Sequence, residues 1–210
     1  MPRRQTIPYN EGVFFITFSC FNHLNLIEKV SGYDIVYKWF DNLKQEGHHI
    51  HAYVIMPNHV HAIISFANTN KLINTIIGNG KRFMAYEIIK RLEQANDLNL
   101  LQYLSKNVRS SSKAKSKFHE VWDLSFFWIE CNSKRLQNQK LEYIHNNPCA
   151  GKWMLSSSPI NFLHSSAAFY ETGEQGIYEV KHILEIDDIN YLGLIDATSP
   201  SGDVAEKESN

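Results

Sequence analysis

YVIMPNHVHAIISF, residues 53–66, sets two apolar runs on either side of a Met56-Pro57-Asn58 break, with His59 and His61 just beyond it. Residues i and i+2 of a β-strand point to the same side of the sheet. His59, His61, Ile63 and Ser65 therefore share one face, and Val60, Ala62, Ile64 and Phe66 the other. Two neighbouring imidazoles on a rigid strand can hold a divalent metal or act as a catalytic pair. They read equally as half-buried strand histidines, so the rest of the chain has to decide between the two.

Upstream, His49 to Met56 reads as a strand that the Met-Pro-Asn break joins to the histidine strand as a hairpin. Gly12 to Cys20 (GVFFITFSC) reads as a first strand buried on both faces. Between them, Ser31 to Glu46 has the spacing of a helix, with Ile35, Val36, Trp39, Phe40 and Leu43 as its core stripe. Ser31 is its expected N-cap and Gly47 its stop. Lys71 to Ala95 is a second helical stretch, weakened in its middle by Gly78 and Gly80, where a bend or close packing is expected. The GNGKRF segment inside it lacks the spacing of a phosphate-binding loop.

Downstream, Lys106, Arg109, Lys113, Lys115 and Lys117 lie among serines in a loop able to follow a phosphate backbone. Phe118 to Cys131 is aromatic-rich and is expected to supply another strand. Asn132 and Ser133 mark a helix start, with the helix running to about Asn147 and Pro148 ending it. Phe169 to Leu194 reads as a hairpin or strand pair, and Asp196 to Asn210 as a disordered acidic tail.

The chain has 210 residues, 43% of them hydrophobic, enough for one globular core. No uninterrupted apolar run approaches the roughly 20 residues of a membrane helix. Three cysteines without CxxC spacing argue against a disulfide framework and fit a reducing cytoplasm. The net charge of −1 conceals an uneven spread. Residues 168–210 hold ten acids against Lys181 and Lys207, so the preceding 167 residues carry the basic surplus that suits a polyanionic partner. Arg3, Arg4, Lys81 and Arg82, together with the 106–117 cluster, are the candidate contacts to such a partner.

The second half of a site lies on the downstream helix. Tyr143 and Asn147, four residues apart, are neighbours on one helix face. A tyrosine that attacks phosphorus needs the phosphate's charge neutralised. A metal held by His59, His61 and a neutral third ligand would do that, and Asn147 offers a carbonyl oxygen of the right kind. The two imidazoles, the Asn147 amide and the Tyr143 phenol should then converge on one position.

With PNHVH after an apolar strand and LEYIHNNPCAGKW some eighty residues later, the chain resembles the HUH single-tyrosine transposases. It is most similar to their REP-associated branch, some of which carry a tail like HSSAAFYETGEQGIYEV. The resemblance spans roughly Pro8 to Val180, and the two motifs are specific in combination. It implies an α+β fold, a ferredoxin- or RRM-like antiparallel sheet with helices packed on one face. It also implies Mg²⁺ or Mn²⁺ on His59, His61 and Asn147, Tyr143 as nucleophile, and single-stranded or hairpin DNA as partner of a monomer or homodimer. The activity implied is that of a single-strand DNA endonuclease and strand transferase working through a 5′-phosphotyrosine. The segment WDLSFFWIEC is more apolar than the family pattern.

The expected layout is a catalytic domain over 1–165, a C-terminal extension over 166–195 and the acidic tail over 196–210. Two other readings compete. A histidine-based phosphodiesterase would alternate three histidines, but its third position here is Ile63. A non-catalytic regulator that binds DNA hairpins and derives from a transposase would not need all four site residues, which are present.

Overall fold

The computed structural model describes residues 6–109 and 117–188. Strands β1 (Gly12–Ser19), β2 (His49–Met56), β3 (His59–Phe66) and the shorter β4 (Phe127–Glu130) form one antiparallel sheet in the order β2-β3-β1-β4. The helices are α1 (Leu26–Lys29), α2 (Tyr33–Gln45), α3 (Ile73–Gln94), α4 (Leu98–Lys106), α5 (Lys134–Asn146) and α6 (Ala167–Thr172). This is the α+β antiparallel class expected from the sequence.

The hairpin is as tight as its sequence demands. Met56 pairs with His59, leaving Pro57 and Asn58 as the turn. Buried Asn58 donates its amide to the His23 carbonyl, and the Cys20 N–H donates to the Asn58 carbonyl. Along β3 the alternation holds: Val60, Ala62, Ile64 and Phe66 enter one core and Ile63 the other. β2 carries a bulge between Ile50 and Ala52. A bulge shifts the phase of a strand and re-aims one side chain. That side chain is His51, which sits against the Ser65 hydroxyl at 2.6 Å and the Lys181 carbonyl at 3.2 Å.

α2 and α3 cover the Val60 face, burying Val36, Trp39, Phe40, Ile77, Met84 and Ile88 against it. The other face is covered as well. α5 lies there through Ile144, joined by Ile183 and Ile186 from the C-terminal extension. The expected cap of α2 fails. Ser31 adopts a left-handed φ of 48°, and Gly32 precedes the helix without a side-chain cap bond. Gly47, at φ 85°, terminates the helix as read.

Of the aromatic stretch 118–131 only Phe127–Glu130 pairs as a strand, against Phe14–Thr17 of β1. The residues before it turn over α3 instead. There the Trp122 indole donates to the Lys81 carbonyl at 2.7 Å and the Lys81 ammonium donates to the Asp123 carbonyl at 2.9 Å. The C-terminal extension is not a hairpin over its described part, which holds α6 and a 3₁₀ turn and no strand up to residue 188. The Gln175 side chain bonds both the N–H and the carbonyl of Val180, supplying from one residue what a partner strand would supply. The segment before α6 lines the free edge of β2, with Ile55 donating to His164 and Ser166 to Tyr53. The disorder expected of 196–210 falls outside the described residues. Among those described, no helix is long and apolar enough to cross a membrane.

The two glycines of α3 give a paired prediction. A Cβ on Gly80 would lie 2.2 Å from the Trp39 indole nitrogen, whereas one on Gly78 meets nothing within 4 Å. Overpacking a core costs about 1–3 kcal/mol, and replacing an exposed helical glycine by alanine gains about 1 kcal/mol. Urea denaturation should show Gly80→Ala destabilised and Gly78→Ala stabilised. Equal effects would contradict this packing.

Candidate active site

The site is built where β3, β1 and α5 meet. Antiparallel register places Thr17 of β1 opposite His61 and Ser19 opposite His59. The Thr17 hydroxyl is hydrogen-bonded to His61 Nδ1, and the Phe15 ring stacks on the His61 ring at 5.6 Å. His59 Nδ1 meets Asn58 Oδ1 at 2.6 Å, so the hairpin turn orients the first imidazole as the β1 threonine orients the second. Both second partners follow from the strand register and the tight turn.

α5 arrives on this face because Ile144 buries into the core beneath it. Ser133 caps its first turn by accepting from the Leu136 N–H. On the far side of the helix, His145 Nε2 bonds the Ser166 hydroxyl at 2.9 Å, tying α5 to the segment along β2. Residues 143 and 147 then face the histidines. Asn147 Oδ1 lies 3.2 Å from His59 Nε2, and Asn147 Nδ2 lies 3.3 Å from His61 Nε2. The Tyr143 ring stands edge-on to His61 with centroids 5.1 Å apart, yet the residue is 49% exposed. The helix therefore reaches the His59 face.

Burial governs the charge state. It pushes His59 down to about 4 from 6.5, against the opposing hydrogen bond that the protonated ring would donate to Asn147 and with added repulsion from His23 and Lys152. Burial and then the neighbouring His59 hold His61 well below the usual imidazole range. Both rings are thus neutral near pH 7, the state in which an imidazole nitrogen can donate a lone pair.

The Asn58 amide donates to His23, which turns its oxygen toward His59. A neutral ring owns one N–H, so the Nδ1 proton goes to Asn58 and the Nε2 lone pair faces Asn147 Oδ1. Two lone pairs at 3.2 Å are reconciled by turning the Asn147 amide over or by a cation between them. Adjacent ligands of an octahedral ion at about 2.1 Å from it stand roughly 3 Å apart, so the donor set fits a divalent ion. Among the described residues no three His, Cys, Asp or Glu side chains cluster to hold a metal, so an ion here would take its third protein ligand from the amide.

The candidate DNA contacts are scattered. Lys81 is 8% exposed and its ammonium also meets the Ser125 carbonyl at 3.4 Å, so it pins the segment before β4. Lys117 pairs with Glu120. Arg82, Lys106 and Arg109 are exposed. Arg3, Arg4, Lys113 and Lys115 lie outside the described residues. Lys81, Arg82 and Lys117 border a cavity of about 890 Å³ between α3 and residues 117–126.

No family model matches the chain, and no curated protein matches it. Among solved structures, a REP-associated tyrosine transposase bound to a REP hairpin aligns with TM-score 0.52 and 17% identity. The alignment covers 87% of this chain and 92% of that one. The chain shares that transposase's fold. A proposed transposase from Deinococcus radiodurans aligns at TM-score 0.36 and 15% identity, covering 70% of this chain and 97% of that one, too distant to bear on the fold.

The buried imidazoles predict an acid limb of stability. Their folded-state pKa values lie below the unfolded value, so the unfolded chain takes up protons first as the pH falls. The stability is complete above about pH 6.5 and declines toward pH 4, by about 1.4 kcal/mol per pH unit for each such group. In histidine-selective NMR, His59 and His61 should stay neutral from pH 8 down to pH 5. A midpoint near 6.5 for either would contradict their burial.

Proposed function

We propose that this protein is a transposase-like single-strand DNA endonuclease and strand transferase, with Tyr143 as nucleophile, acting beside a DNA hairpin. The observation that carries the reading is the meeting of four side chains from two distant segments. Asn147 Oδ1 lies 3.2 Å from His59 Nε2, the Asn147 amide nitrogen lies 3.3 Å from His61 Nε2, and an exposed tyrosine leans on His61. The shared fold supports it, as does the hairpin held by the structural neighbour.

His59, His61 and Asn147 would hold a divalent ion, which supplies positive charge to the non-bridging oxygens of the scissile phosphate. Of Mg²⁺ and Mn²⁺, two nitrogen donors suit Mn²⁺ better, because Mg²⁺ prefers an all-oxygen shell. Tyr143 Oη would attack phosphorus and the P–O3′ bond would break. The phenol proton is lost to solvent and the departing 3′-oxygen takes one up. The 5′-phosphotyrosine conserves the energy of the broken link, so rejoining needs no nucleotide cofactor and the exchange proceeds as two displacements. Thr17 and Asn58 hold the two rings in orientation, and burial keeps those rings neutral. Such a protein works at the nucleoid, on single strands folded beside imperfect palindromes.

The test uses a 3′-labelled single strand carrying the hairpin-forming sequence that flanks the coding region, with Mn²⁺. Wild type should form a labelled covalent adduct stable in denaturant, and Tyr143→Phe none. His59→Ala and His61→Ala should lose the adduct by at least about a hundredfold. A wild type that forms no adduct, or a Tyr143→Phe that forms one equally well, contradicts the proposal.

A further inference from the structure

Lys140 is the one charged group on the working face of α5 that the account above leaves without a role. It lies three residues before Tyr143 and seven before Asn147, so all three side chains share a stripe of the helix. Its ammonium stands 5.3 Å from the centre of the Phe15 ring and 5.9 Å from the centre of the Tyr143 ring. Phe15 is the ring stacked on His61 and also meets Tyr143 edge-on at 5.9 Å. The cation is therefore held on the aromatic wall of the site, within one ring of both a proposed ligand and the proposed nucleophile. Lys134, at the start of the same helix, pairs with Asp187 at 2.8 Å. No ion pair involves Lys140 among the described residues.

We infer that Lys140 is a further catalytic residue, a phosphate-binding cation that contacts a non-bridging oxygen of the scissile phosphate during attack by Tyr143. This rests on the reading given under Proposed function. An ammonium has three donors and a flexible stem, so it can stay in contact with the phosphate oxygens as they move. It neutralises charge on the side of phosphorus where Tyr143 Oη bonds, while P–O3′ breaks opposite and the protons pass through solvent as above. A cation resting on Phe15 as a surface decoration would leave the chemistry unchanged, because exposed cation–π contacts are weak.

Single-turnover adduct formation tests this, with saturating DNA, on the same 3′-labelled strand with Mn²⁺. Lys140→Met should form the adduct about a hundredfold more slowly than wild type, the typical loss when one donor to a developing oxyanion is removed. Lys140→Arg should recover most of the rate. Both variants should melt at the wild-type temperature and bind the hairpin with wild-type affinity. On a strand with a neutral methylphosphonate at the cleaved link, the ratio of wild type to Lys140→Met should collapse toward one. An adduct formed equally fast by wild type and Lys140→Met overturns this inference alone. So does a Lys140→Met defect confined to DNA affinity, or one of the same size on the methylphosphonate strand. Absence of an adduct from wild type overturns the parent reading and this one with it.

Discussion

The burial of Ile144 beneath α5 is the contact on which the rest of the site depends. β3 alone offers only two imidazoles on a strand. Ile144 is fully buried and seats the helix on that face of the sheet. Helical geometry then brings Tyr143 and Asn147, its neighbours by one and three residues, over the rings. The His145–Ser166 bond fixes the same helix from behind. A helix pinned on both sides can hold donor atoms to a few tenths of an ångström, which the proposed chemistry needs.

The same burial sets the chemistry. Placing two unprotonated imidazoles in an apolar setting costs stability at acid pH, yet it keeps their lone pairs available at neutral pH. The apolar wall has a second use. Phe15 carries the His61 ring on one of its contacts and the Lys140 ammonium on another, so neutral donors and a cation sit side by side. Tyr143 remains half in solvent, which leaves room for the large substrate proposed.

Much of this was legible in the residues because it follows from two periodicities. Alternation on β3 put His59 and His61 on one face, and the four-residue offset on α5 put Asn147 beside Tyr143. What was not legible depends on pairing between segments. The roles of Thr17 and Phe15 follow from the register of β1 on β3, which no local pattern encodes. Lys81 looked like a DNA contact because charge is usually solvated, but two loop carbonyls hold it in place. The extension after residue 166 reads as a hairpin in the sequence, yet the Gln175 side chain satisfies Val180 without one. Lys140 was within reach of the helical spacing. Its meaning appeared only once Phe15 and Tyr143 were seen beside it.

The central claim is that three neutral donors from two segments meet at one cation position beside Tyr143. Anomalous scattering from crystals soaked in Mn²⁺ tests it most directly. A single strong manganese peak is predicted within about 2.0–2.4 Å of the two histidine Nε2 atoms and the Asn147 side-chain oxygen, lost in His61→Ala crystals. No peak between those three side chains, or manganese bound only elsewhere, would contradict it.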